Sequence, residues 1–179
     1  MIPQKQLVFG GGNGDCFRAC VASILELPNC DLLPNDHSPE WHFTWEEWLS
    51  QFGLILDFDA KRIWRETYWI ASVKSKNLVE SSHAIVMKSS QVAFDPSTKK
   101  RYRKGSFLKG DEVNGGWWFE VADFRLLHKL DEFREALNIK AALATGKERM
   151  SPYHTIVPAT VSATFVGHVN PPTEGKEKE

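Results

Sequence analysis

The stretch "GGGNGDCFRACVASILELP", residues 10–28, constrains this chain more than any other. Residues 16–27 predict a single helix, and Pro28 predicts its stop. Phe17, Cys20, Val21, Ile24 and Leu27 give it a wide apolar face, while Arg18, Ser23 and Glu26 supply few polar positions. Such a helix gains its stability from burial, so the rest of the chain must pack around it. A glycine-rich loop delivers a thiol, Cys16, to its N-terminus. There the macrodipole and the unpaired N–H groups favour a thiolate, the nucleophilic form of cysteine. The loop also lets a substrate backbone come close and leaves amides free to hold an oxyanion. Cys16 is therefore either a small core residue or a nucleophile. Cys20, one turn on, is expected to be buried and inert, and Cys30 has no base near it in sequence.

The remaining pattern supplies what packs on that helix. Thr44 and Glu47 have capping-box spacing, and Phe43 with Trp48 has staple spacing. Trp45, Trp48, Leu49 and Phe52 then share one face of a second helix that Gly53 stops. Strands are predicted over residues 54–58, 67–73, 83–88 and 91–94, the last two joined by a Ser-Ser turn. "GGWWFEVADF" predicts a further strand, with Trp118 and Glu120 opposite Trp117, Phe119 and Val121. Residues 126–145 predict another long helix ended by Gly146, and residues 159–169 a late strand. "NPPTEGKEKE" has the composition of a disordered tail. Helix first, then mostly antiparallel strands, is the order of an α+β domain. We divide the 179 residues into a core at 1–125, a helix–strand extension of the same domain at 126–170, and a tail at 171–179.

Composition narrows the function classes. A net charge of −1 gives no global field to recruit nucleic acid or a membrane. The apolar runs are far shorter than a membrane span, and the first residues lack a signal-peptide pattern, so a cytoplasmic protein is expected. Three cysteines suit free thiols in a reducing compartment. Cys16, Cys20, Cys30, His37 and His42 contain no CxxC or HExxH spacing, so no metal is expected. "GGGNG" lacks the Lys-Ser/Thr of a phosphate loop, and no cofactor is expected. The basic loop at 99–109, with Tyr102 and Phe107 interleaved, is expected to be solvated; a partner contact through it or through the C-terminal extension is the alternative.

A cysteine nucleophile needs a base and a group to orient it. "SSHAIVMKSSQVAFDP" offers both: His83 opens one strand of the predicted hairpin, and Asp95 ends the other. Antiparallel pairing would set the two side by side. "GDCFRACVASILELP", followed by "LLPN", "WLSQFGL", "HAIVM" and "FDP", resembles the papain-like cysteine peptidase superfamily. The likeness is greatest to small bacterial and phage members with a CFxACVASLLxLP helix, and the plan is similar to bacteriocin-processing and transglutaminase-like proteins. It spans roughly residues 7–96.

The resemblance implies a papain-like fold, with the Cys16 helix packed on an antiparallel sheet that carries His83 and Asp95. It implies Cys16 as nucleophile, His83 as base and Asp95 as orienter, in a hydrolase cleaving an amide of a peptide or protein through a thioester. A bacterial cell or phage-infected host is the implied setting. The family's oxyanion Gln stands six positions before the cysteine, where this chain has Gly10. Asn13 and Gln6 are the nearest amide side chains, and backbone N–H groups, including that of Cys16, are the alternative. "NGDCFRA" is also similar to the DGNCLFRA loop of ovarian-tumour-type deubiquitinases, which would make His168 the base and Asn170 its orienter. "HAIVM…FDP" is the longer match, so His83 is favoured. A peptidoglycan amidase, an acyl transferase and a non-catalytic papain-like binding or effector protein are the remaining readings.

Overall fold

The apolar helix α1 spans Cys16–Ile24 and ends before Pro28 has any part in stopping it. The Leu27 N–H bonds the Ala22 carbonyl at 2.9 Å and the Glu26 N–H bonds that of Ser23 at 3.4 Å. Glu26 has φ 58°, so these bonds make a Schellman closure with a glutamate in the left-handed position where glycine is usual. Within α1, Ala19, Cys20, Val21, Ala22 and Ser23 are buried. The Ser23 hydroxyl donates to the Ala19 carbonyl at 2.6 Å and accepts from the Gln4 N–H at 2.8 Å, so its burial leaves nothing unpaired.

This computed structural model describes residues 1–10, 14–30, 33–59, 66–109 and 112–145, with side chains through 141. The predicted late strand, the tail, Gly146, Asn13, His168 and Asn170 lie outside the described residues.

Helix α2 spans Trp41–Ser50, earlier than the capping box predicts. Thr44 is inside it and donates to Asp36 Oδ2 at 2.6 Å, while Phe43 is 60% exposed and makes no staple. Asp36 Oδ1 also accepts from the Ser38 N–H at 2.8 Å, so the aspartate before the helix organises its start. Gly53 does end α2: its φ is +70°, and a Cβ there would lie 2.1 Å from the Asp123 carbonyl oxygen. That carbonyl sits in the turn that follows the last strand. The Gly53 carbonyl in turn accepts from Ala122 and Asp123 at 2.8 and 3.1 Å.

Among the described residues five strands follow: β1 Leu54–Asp59, β2 Tyr68–Lys74, β3 Ser82–Lys88, β4 Gln91–Phe94 and β5 Val113–Val121. They form one antiparallel sheet in the order β1-β5-β2-β3-β4. A 3-10 turn at Phe124–Leu126 leads into α3, Leu127–Thr145. The fold is thus α+β. Among the described residues no helix is long and apolar enough to cross a membrane.

The strands alternate sides with period two, and both sides are buried at the centre. Ile70, Ala84 and Val86 meet Cys20 and Val21 of α1 and Trp45 and Leu49 of α2. Leu130 and Leu137 bring α3 into the same core, and Arg134 Nε donates to the Leu25 carbonyl at 2.7 Å. On the other side, Trp69, Val73, Ile85 and Met87 pack with Tyr102 and Leu108 from the loop after β4. Double burial is why "HAIVM" reads as an unbroken apolar run.

Candidate active site

β3 and β4 bring a histidine and an aspartate together at one end of a hairpin. His83 stands opposite Val73 on β2, and Asp95 directly follows the last residue of β4. His83 Nε2 and Asp95 Oδ1 are 2.8 Å apart, with both residues buried. Asp95 is itself held: Oδ1 accepts from the Ser97 N–H at 2.8 Å, and Oδ2 from the Tyr102 N–H at 2.7 Å.

The basic loop therefore does more than present charge to solvent. Its lysines and arginines are exposed, but Tyr102 and Leu108 are buried. The Tyr102 hydroxyl donates to the Lys74 carbonyl at 2.9 Å, and Lys76 Nζ stands 3.8 Å from the centre of the Tyr102 ring. Asn77 clips the loop from the β2–β3 side. Its Nδ2 donates to Ser97 Oγ at 3.2 Å and to the Lys100 carbonyl at 2.9 Å, and its Oδ1 accepts from the Lys100 N–H at 3.0 Å.

Cys16 is the first residue of α1 and is half-buried. Its side chain lines the same clefts as His83 and is close enough to act on the imidazole's pKa. Since Nε2 faces Asp95, Nδ1 is the ring nitrogen left for the sulfur. Burial pulls the imidazole pKa down, but the hydrogen bonds to Asp95 and then Cys16, with the charges of both, outweigh it and push it up to about 9. Cys20 differs: full burial, then the nearby Cys16 and Asp95 charges, push its thiol well up and keep it neutral. Cys30 is also buried. Among the described residues no group of three or more His, Cys, Asp or Glu is placed to hold a metal ion.

The loop side of the sulfur is built by the N-terminal segment. Asp15 is buried, and instead of capping α1 its carboxylate accepts from the Leu7 and Val8 N–H groups, both at 3.0 Å. The Gln6 N–H bonds the Pro96 carbonyl at 3.0 Å, which ties the same segment to the Asp95 turn. Gln6 is buried, and its Nε2 donates to the Val8 carbonyl at 2.8 Å, with a second N–H remaining on that nitrogen. Gly14 makes room for it: a Cβ there would lie 3.3 Å from Nε2. Of the two amides expected near the sulfur, Gln6 lines a cleft with Cys16 and His83, and Asn13 lies outside the described residues. His168 and Asn170 lie outside them as well.

Two clefts meet at Cys16 and His83. One, of about 240 Å³, is walled by Phe17, Trp41, Trp45 and Trp117, with Arg18, Asp36 and His37 also lining it. The other, of about 230 Å³, is walled by Gln6, Phe9, Ser75, Asn77, Ser81 and Lys99. A thiol beside an imidazole that is backed by a buried carboxylate, with both open to two clefts, can pass a proton between sulfur, ring and a bound molecule.

Sequence reasoning missed Asp15, Asn77, Ser97 and Tyr102. Only Ser97 carried a local signal, the Asx-turn spacing of "DPS". No protein family, curated protein or solved structure matches this chain.

Proposed function

We propose that this protein is a cysteine-dependent amide hydrolase with a papain-like arrangement, in which Cys16 is the nucleophile, His83 the acid and base, and Asp95 the group that orients His83. One observation carries the reading: Cys16 and His83 line the same two clefts, and His83 bonds the buried Asp95.

In the proposed resting pair the proton sits on His83 and the sulfur attacks as thiolate. The sulfur bonds to the amide carbon, and the carbonyl electron pair moves onto oxygen. The Cys16 N–H and the second Gln6 Nε2 N–H are the donors proposed for that oxyanion. Collapse breaks the C–N bond, and the leaving nitrogen takes the His83 proton, giving a thioester and a neutral ring. His83 then removes a proton from water, hydroxide adds to the thioester, and the thiolate leaves. The carboxylic acid departs and the resting pair is restored. Asp95 holds the ring in place. Peptides or isopeptides are the substrates proposed.

Thiol labelling tests this reading. Iodoacetamide at neutral pH is expected to label Cys16 ahead of Cys20 and Cys30, and His83→Ala is expected to slow that labelling at least ten-fold. Equal, slow labelling of all three cysteines would sink the hydrolase reading.

A further inference from the structure

The two clefts that meet at Cys16 are chemically unlike. In the larger, three aromatic rings from three separate elements pack edge to face. Phe17 of α1 lies 5.1 Å from Trp41 of α2 and 5.2 Å from Trp117 of β5, centre to centre. Trp41 and Trp117 are 6.0 Å apart, and Phe58 tilts against Trp117 at 5.0 Å. All three rings are only partly buried although they pack against the main core, so each keeps apolar surface facing the cleft. Anchoring from a helix, a second helix and a strand holds them as a preformed wall.

The charged groups on that wall are largely partnered, with the buried Arg18 Nε the exception. Arg18 donates to the Cys30 and Leu33 carbonyls at 2.6 and 3.1 Å and to Asn35 Oδ1 at 3.1 Å. Asp36 accepts from Ser38 and Thr44. Their charges are opposite, so this wall has little reason to choose a charged ligand. The second cleft has the reverse character. Lys99 is its charged residue, with Nζ 4.9 Å from the Phe9 ring centre, among serines and Asn77.

We propose that the aromatic cleft selects a large apolar side chain, aromatic above all, immediately beside the bond that Cys16 attacks, and that the polar cleft takes the opposite flank. This rests on Cys16 being the nucleophile. Phe17, Trp41 and Trp117 are then specificity-determining residues, and an aromatic ring on the substrate extends their edge-to-face set.

The test compares N-benzyl iodoacetamide with iodoacetamide. In both, the Cys16 thiolate forms the S–C bond and iodide leaves, so the two probes differ only in the benzyl group on the amide nitrogen. Each rate is divided by the rate with glutathione. The benzyl probe is expected to gain roughly ten-fold at Cys16, a gain that Trp117→Ala and Trp41→Ala each bring near unity and Trp117→Phe largely keeps. A gain below about two-fold in the parent protein overturns the proposal, and so does a gain that survives both alanine variants. Failure of the underlying reading looks different: iodoacetamide itself then reacts with Cys16 no faster than with glutathione, while the probe ratio still reports the cleft.

Discussion

Asp95→Asn separates two roles of one carboxylate. Asp95 accepts from His83 Nε2, from the Ser97 N–H and from the Tyr102 N–H. An asparagine whose Oδ1 serves His83 and Ser97 must turn its NH₂ toward the Tyr102 N–H, donor against donor. One buried donor left unpaired costs about 1–3 kcal/mol at any pH. The second role is electrostatic and depends on pH. Burial alone would pull the His83 pKa below its ordinary 6.5, whereas the hydrogen bonds to Asp95 and Cys16 raise it to about 9. A rise of about 2.5, at about 1.36 kcal/mol each, is worth about 3 kcal/mol to the folded state. His83 is only 7% exposed, so solvent takes little of it. Because the folded pKa is the higher one, this stability is complete below 6.5 and is lost as the pH rises through about 9. Urea unfolding of the parent and Asp95→Asn proteins at about pH 6 and about pH 10 reads the difference. The variant removes the Asp95 contribution and leaves those of Cys16 and burial, so its loss is expected to be greater at the lower pH than at the higher by on the order of 3 kcal/mol. A loss that is the same at both, within about 0.5 kcal/mol, would refute the electrostatic reasoning.

Four further outcomes follow from single contacts. Gly53→Ala forces a Cβ against the Asp123 carbonyl at φ +70°, and is expected to cost at least about 2 kcal/mol, seen as a fall of several degrees in the thermal midpoint. Ser89→Gly should act in the opposite direction. Ser89 has φ 51° at the first position of the two-residue β3–β4 turn, so glycine is expected to stabilise by a few tenths to about 1 kcal/mol in the same scan. Trp45→Ala empties a site that is 2% exposed and is expected to cost about 3–5 kcal/mol in urea unfolding. Asn77→Ala removes three bonds to the loop around Asp95. Amide exchange at Tyr102 is expected to speed up at least ten-fold, and an unchanged rate would show that the loop is held without the Asn77 clip.

The α+β architecture was legible because it is written in local pattern. The apolar face of α1, the Gly53 stop and the period-two strands need no distant partner to be read. The ends of elements were less so. Glu26 occupies a left-handed position that glycine usually fills, which no propensity would suggest. Thr44 had the spacing of a cap, yet Asp36 competes for its hydroxyl. At the site, the neighbourhood of His83 and Asp95 follows from hairpin arithmetic alone. The groups that fix them do not: the Asp95–Tyr102 and Asp15–Leu7 bonds join segments whose approach depends on the folded loops. The basic loop looked like a charged surface feature because its lysines and arginines outnumber the two side chains, Tyr102 and Leu108, that anchor it.

The pairing of His83 with Asp95 across one hairpin has a consequence for how the site comes apart. Both residues belong to a single short run of chain, closed by a two-residue turn, whereas Cys16 arrives on a helix that merely rests against it. A partial opening that lifts α1 from the sheet would separate sulfur from ring yet leave ring and carboxylate joined. The site is thus assembled from two cassettes, and reactivity becomes a report on their docking. Thiol reactivity should decay under mild denaturant before the imidazole loses its carboxylate partner, an order that a site built within one continuous segment would not show.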